Sequence, residues 1–299
     1  YLFDINSNLL SLSESMSLEE LCENLQITSG PKEAIHPRNV GLLFFSYNPE
    51  KYIPYSYIDL TIIYDPTGEG MIEKQFKGPI NIQYFDVMQF IKNNIIEEKI
   101  FKISGQMEAK RYFNYPYESI EELVGNALLH KNYQYHEPIS IRITKETFEI
   151  TSIPGFDSSI NEKDILTFSP KTRKYRNRRI AEFMKELHIA EAKNTGYPTI
   201  IKYLKQNESS MPIIEMDGER SYVTVIIPIN KYFMEPSLDN EELSLKERII
   251  NLLQERAMKI SEISKSLGYK QVSGTLKKTI KELLEENKIK VKDRIYYLN

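Results

Sequence analysis

Cysteine is almost missing from this chain. Cys22 is the only one, so no internal disulfide can form, which excludes a small disulfide-stapled secreted scaffold and fits a reducing, cytoplasmic setting. Long apolar runs are missing too. The longest, GLLFF at 41–45 and VTVIIPI at 223–229, fall far short of the roughly 20 residues a spanning helix requires, so no membrane segment or membrane partner is expected. No signal-like stretch opens the sequence, which begins with Tyr1 rather than Met, and it reads as a fragment or processed product whose natural start lies upstream. There is no Gly-x-Ser-x-Gly, no Walker loop and no Cys-His pairing, which leaves covalent catalysis without support. His130 and His136, in HKNYQYH, straddle a predicted helix end with no Cys or acidic cluster to complete a tetrahedral set, so structural roles are expected of both, and no metal. Internal repeats and low-complexity tracts are absent as well.

What is present is ordinary in bulk: 299 residues, 41% hydrophobic and 27% charged, a soluble composition long enough for two or three domains with cores of their own. The net charge of −3 hides opposed blocks. Lys+Arg less Asp+Glu comes to −6 over 1–104, −4 over 105–169, +7 over 170–205, −4 over 206–240 and +4 over 241–299. The sharper basic island is KTRKYRNRR, where Lys171, Arg173, Lys174, Arg176, Arg178 and Arg179 crowd around Tyr175. Such density suits a polyanion such as a phosphate backbone; it equally suits a solvated face paired with acidic neighbours.

Periodicity organises the rest. Residues 8–26 carry apolar residues at helical spacing, with Ser17 as N-cap before Glu19 and Glu20. From 39 to 100 the pattern predicts strand, strand, helix: VGLLFFS, YIDLTIIYD, then Ile80 to Ile95. A helix over NYPYESIEELVGNALLHKNY follows, then a hairpin over ISIRITKETFEITSIPG turning near Lys145 and Glu146. Arg179 to Ile189 predicts a helix, 198–205 another, and YVTVIIPI a strand. Residues 105–232 thus read as helices on an antiparallel or mixed sheet. Tyr112, Tyr115 and Tyr117 could stack on bases, but a half-polar packing interface is the preferred reading. MEPSLDNEE, 234–242, reads as a linker.

The last stretch, 243–299, is self-contained. SLKERIINLLQER, KISEISKSLGY and SGTLKKTIKELLEEN predict three helices, and NKIKVKDRIYYLN two strands with Asp293 and Arg294 at the tip. That is the winged helix-turn-helix order. Ser273, Thr275, Lys277, Lys278 and Lys281 decorate the third helix, where a recognition helix meets bases and phosphates. A protein-contact role is the alternative, because Glu282, Glu285 and Glu286 crowd the end of that helix.

The run Glu122-Leu-Val-Gly-Asn126-Ala-Leu-Leu-His130-Lys131-Asn132-Tyr133, followed by ISIRI and FEITSIPG, resembles the E-x-L-V-N-A-L-x-H-[RK]-[DN]-Y signature of a bacterial transcriptional-regulator family. That family is similar to the C-terminal part of the RecG helicase, and its central domain is a degenerate GHKL-type ATPase fold. HPRNVGLLFFSYNPEKYIPYSYIDL and FKGPI, within 36–80, resemble the tail of the Schlafen AlbA-type DNA-binding domain that precedes it in the family. By this resemblance Glu122 corresponds to the water-orienting Glu of GHKL enzymes and Asn126 to the Asn that binds Mg²⁺. Their i, i+4 spacing sets both on one helix face. The adenine-reading Asp-x-Gly-x-Gly is replaced by Ser152-Ile-Pro154-Gly155-Phe-Asp157, and the phosphate lid is reduced to Lys193-Asn-Thr-Gly196-Tyr197; Gly155 and Gly196 are what remain of the two boxes. ATP turnover is therefore not expected. The alternative for Glu122 and Asn126 is to cap or brace a neighbouring turn.

Together these readings predict an α+β protein. Residues 1–104 would hold a helical lead-in and the C-terminal part of an AlbA-type α/β domain, 105–233 a degenerate GHKL ATPase-like α/β sandwich, 234–242 a linker and 243–299 a winged helix. The expected function is a DNA-binding transcriptional regulator, its middle domain a scaffold, dimerisation unit or nucleotide sensor; the alternative is a Schlafen-like nuclease or antiviral effector with its catalytic residues upstream. DNA and a second copy of the chain are the expected partners. No resident cofactor is expected, ATP with Mg²⁺ being the one the resemblance brings in.

Overall fold

The computed structural model describes residues 8–65, 67–102, 109–168, 175–187, 196–234, 245–267, 269, 272–286, 288–292 and 295–298. They belong to two compact units, Tyr1–Met234 and Glu235–Asn299.

The first unit is built on a six-stranded sheet in the order Ile72–Phe76, Ile58–Ile63, Ile139–Thr144, Thr147–Ser152, Val223–Pro228, Ile213–Glu215. Neighbours run antiparallel except Ile58–Ile63 and Ile139–Thr144, which pair in parallel with Ile58 opposite Ile139. A parallel pair needs a long crossover, and here the chain between the two strands contains the helices Ile80–Asn94 and Tyr117–His130. Alternation sends Ile58, Leu60, Ile62, Ile139, Ile141, Ile143, Phe148, Ile150, Val225 and Ile227 to one buried face. Residues of both helices, and of the helices Arg178–Glu186 and Gly196–Gln206, join the same apolar cluster, so the main layer arrangement is one sheet and one set of helices.

Several expectations change. The sheet draws strands from both sides of residue 104, so 1–104 and 105–233 fold as one unit. Position 104 itself falls between Glu98–Lys102 and Ala109–Phe113, the two strands of a separate hairpin. VGLLFFS, expected as a strand, is the helix Asn39–Phe45. An unbroken apolar run carries no period of its own; tertiary contact settles it, with Phe44 packed on Phe183 at 5.0 Å between ring centroids while Phe45 stays largely exposed. Ile72–Phe76, whose first four residues are exposed, gives no apolar alternation and was not expected as a strand. Ser17 does cap its helix, Leu18–Asn24, in a reciprocal box with Glu20.

A polar latch mounts the extra hairpin. Asn114 accepts from the Glu97 and Tyr115 amides and donates to the Ile95 carbonyl. Asn207 holds both the amide and the carbonyl of Phe113, at 2.8 and 2.7 Å. Asn230, fully buried, donates to the Asn207 carbonyl at 2.7 Å and accepts from the Tyr232 amide at 3.0 Å. Each buried amide is satisfied, which is the condition for its burial to be tolerated.

In the second unit the helices Leu245–Glu255, Ile260–Ser266 and Gly274–Glu285 surround a core that includes Ile249, Leu253, Ile263, Leu276, Ile280 and Leu283. A strand absent from the sequence reading, Met258–Lys259, pairs with Ile295–Leu298, which pairs in turn with Ile289–Lys292. The order is helix, strand, helix, helix, strand, strand.

Candidate functional site

The helix Tyr117–His130 starts behind Pro116 and buries Ile120, Leu123, Val124, Ala127 and Leu128. Ser119 Oγ donates to the Ile200 carbonyl at 3.1 Å, tying this helix to Gly196–Gln206. Glu122 and Asn126 sit at the edge of the buried stripe, both half-buried, and Asn126 Nδ2 donates to Glu122 Oε1 at 3.2 Å. Gly196, at φ +33°, opens its helix so close that a Cβ there would stand 4.0 Å from Glu122 Oε1. The structure thus brings Glu122, Asn126 and Gly196 together, with a carboxylate near the positive end of a helix. A carboxylate, an amide and a helix N-terminus can hold a hydrated cation and phosphate oxygens; they can also simply brace two helices. Among the described residues no three His, Cys, Asp or Glu side chains gather as a metal cluster.

Gly155 lies elsewhere. Its amide donates to the Arg220 carbonyl at 2.9 Å, and a Cβ on it would meet the Tyr222 carbonyl oxygen at 2.5 Å. Glycine is required there by chain packing. Its own carbonyl accepts from Arg176 Nη2 at 3.4 Å, and Arg176 Nη1 donates to the His130 carbonyl at 2.6 Å. Arg176 therefore joins Gly155 to the C-terminal end of the Tyr117–His130 helix, about 12 Å along the axis from Glu122 at 1.5 Å per residue. Asn177 completes that end, donating to the carbonyls of Leu129 and Lys131 at 3.1 and 2.6 Å.

Of the basic island, Lys171, Arg173 and Lys174 lie outside the described residues. Arg179 is engaged with the Leu25 carbonyl and Glu182 and lies over the Phe183 ring. Arg178 is the outward one: its side chain is 86% exposed and pairs with Glu182 at 3.3 Å. The density that suggested a polyanion is thus, for Arg176 and Arg179, taken up by backbone carbonyls of the fold.

Two titratable groups, half-buried His130 and buried Lys131, flank the helix end. His130 stacks on Tyr175, and burial, followed by the Arg176 charge, pushes it down to about 4. Lys131 is 1% exposed; its ammonium donates to the Glu137 carbonyl, and burial pushes it down to about 8. His136 stacks on Tyr55. Tyr112 and Tyr115 are buried and Tyr117 is half-buried beneath Lys92. Sequence reasoning missed Arg176 and Asn177 as terminal clamps and Lys131 as a buried cation; only the last carried a signal, being part of the HKNY run itself.

The hairpin Ile139–Thr144/Thr147–Ser152, the Gly155 loop, Gly196 and all but the last residue of the strand Val223–Pro228 lie within residues 136–227, and that span matches the family model described as "Putative ATP-dependent DNA helicase recG C-terminal". Residues 136–227 are an ATPase-like domain of the RecG C-terminal kind. The matched span begins after the helix that carries Glu122 and Asn126. Among solved structures, the DIP2311 protein from Corynebacterium diphtheriae is similar in fold, with a TM-score of 0.56 at 16% identity over 96% of this chain. This chain spans 58% of that one. No curated protein matches. No helix among the described residues is long and apolar enough to cross a membrane.

The second unit carries the other expected contacts. Ser273 caps the Gly274–Glu285 helix, accepting from the Leu276 amide at 3.1 Å. Thr275, Lys277, Lys278 and Lys281 are exposed, while Leu276, Thr279, Ile280 and Leu283 are buried. Lys246 sits between Glu282 and Glu286 at 3.0 and 2.6 Å, and Glu285 meets Lys281 at 3.8 Å. Every acidic residue that crowded this helix end therefore has a lysine partner.

Proposed function

We propose that the chain is a DNA-binding regulator whose second unit is a winged helix contacting duplex DNA. The carrying observation is the division of the Gly274–Glu285 helix: an apolar stripe packs inward, and Thr275, Lys277 and Lys278 face solvent with no ion pair among the described residues. Lys290 and Lys292 are exposed on the adjoining strand. A capped helix that presents lysines beside a short basic hairpin has the layout for phosphate contacts flanking a groove. Ser273 acts here as the cap that fixes the helix start, so base contact falls to Thr275 and phosphate contact to Lys277 and Lys278. The test is a gel shift with duplex DNA: binding is expected for the 299-residue chain and lost when Lys277, Lys278 and Lys281 are changed to Glu. A shift that persists in that variant sinks the assignment.

A second reading concerns the ATPase-like domain. Glu122, Asn126 and Gly196 fit the phosphate and Mg²⁺ end of a nucleotide, whereas Gly155, wedged against Tyr222, supplies no open adenine loop. The reading is binding without turnover, a nucleotide-sensing role. Mg²⁺ would neutralise phosphate charge; Asn126 would supply an amide oxygen to it and Glu122 would orient its water. A thermal upshift with Mg²⁺ and ATP that disappears in Asn126→Ala supports it, since a ligand at 100 times its Kd adds about 2.7 kcal/mol. An upshift indifferent to that substitution removes the site.

A further inference from the structure

Ile72–Phe76 ends the six-stranded sheet and, among the described residues, pairs on one side only, with the Ile58–Ile63 strand. Met71, Ile72, Glu73, Lys74, Gln75 and Lys77 are all exposed. Beside this edge runs an open groove of about 490 Å³ between the strand and the Ile80–Asn94 helix, which contributes Asp86, Gln89, Phe90 and Asn93 to its wall. An uncovered sheet edge is a template for another strand, and lysines on it ordinarily discourage that pairing. Here their positions instead select among the pairings.

We propose that a second copy of this chain pairs edge to edge through Ile72–Phe76, continuing the sheet across a two-fold axis. In such an antiparallel contact, with the helices of both copies on one side, each residue meets one from the same face of the sheet. The strand faces are known from the register: Ile72, Lys74 and Phe76 lie opposite Ile62, Leu60 and Ile58, and Glu73 and Gln75 lie opposite Thr61 and Asp59. Centring the axis on Glu73 sets two carboxylates together, and centring it on Lys74 sets two ammonium groups together. Centring it on Gln75 places Glu73 opposite Lys77 of the second copy, twice over by symmetry, and Lys74 opposite Phe76. Opposite charges across a strand pair stabilise it and like charges oppose it. Lys74 already lies over the rings of Phe76 and Phe90, 5.2 and 4.4 Å from their centroids, so its charge rests on aromatic faces within the groove. Self-complementarity about Gln75 is a property that only a second copy requires, which favours it over an unrelated extended peptide.

Light scattering on the 299-residue chain across a concentration series tests this. The expected mass is twice the 35.1 kDa of one chain. Glu73→Lys alone and Lys77→Glu alone are each expected to weaken self-association about ten-fold or more, because both symmetric pairs become like-charged. An equimolar mixture of the two variants is expected to restore the dimer as a heterodimer, with each variant's melting curve confirming that it is folded. A wild-type monomer throughout the series, a dimer indifferent to both single variants, or a mixture no stronger than its components would each overturn the proposal.

Discussion

The salt dependence of DNA binding gives the sharpest test of the second unit. Four of its exposed lysines, Lys277, Lys278, Lys290 and Lys292, have no ion pair among the described residues, whereas Lys281 is shared with Glu285 at 3.8 Å and Lys288 with Glu286 at 3.3 Å. Each phosphate neutralised contributes about 0.9 to the negative slope of log K against log salt. If Lys277, Lys278, Lys290 and Lys292 all meet phosphates, the slope is about −3.6, and raising salt from 50 to 200 mM weakens binding on the order of 150-fold. Lys277→Ala with Lys278→Ala should reduce the slope by about 1.8, and Lys281→Ala by clearly less than 0.9, because its charge is already partly met by a carboxylate. The assay is fluorescence anisotropy of a labelled duplex in a potassium chloride series. A slope unchanged in the double variant, at any affinity, would refute the placement of this helix against the backbone.

Further predictions concern the first unit. Asn230→Ala leaves the Asn207 carbonyl and the Tyr232 amide without their buried partner, at a cost of about 3 kcal/mol; calorimetry should show the melting point of this unit falling by roughly 6 to 12 °C. Arg176→Ala should destabilise the unit by about 1 kcal/mol, because a charge at a helix C-terminus is lost with its bonds to His130 and Gly155. Arg178→Ala, which removes an exposed pair with Glu182, should leave urea denaturation unchanged to within about 0.5 kcal/mol. Lys131 is pushed down to about 8 in the fold from an ordinary value near 10.4. Between these values the unfolded chain holds more protons, so stability should rise as pH climbs from 8 to 9.5, a rise that Lys131→Met should abolish in urea titrations. His130, pushed down to about 4, acts with the same sign at lower pH: stability should be lost as pH falls from about 6.5 towards 4, and His130→Gln should flatten that limb.

The sequence by itself determined the elements whose signals are local. The Ser17 cap, the hairpin turning at Lys145 and Glu146, the long helices and the three helices of the second unit all announce themselves through caps, turn residues and unbroken periodicity. It also determined that Glu122 and Asn126 share a helix face, since i, i+4 spacing permits nothing else. Tertiary structure alone decided matters that depend on what lies opposite. VGLLFFS has the composition of a strand and becomes a helix because Phe183 and the neighbouring core receive one side of it. Glu73, Lys74 and Gln75 form a strand because Ile58–Ile63 offers an unpaired edge, and pairing of backbone groups outweighs weak local preference. The boundary near residue 104 vanished into one sheet because strands pair without regard to distance along the chain. Arg176, Arg178 and Arg179 divide into clamps and a surface charge according to which of them reach a backbone carbonyl. Local chemistry is written in neighbours along the chain; a charge's occupation is set by neighbours across it.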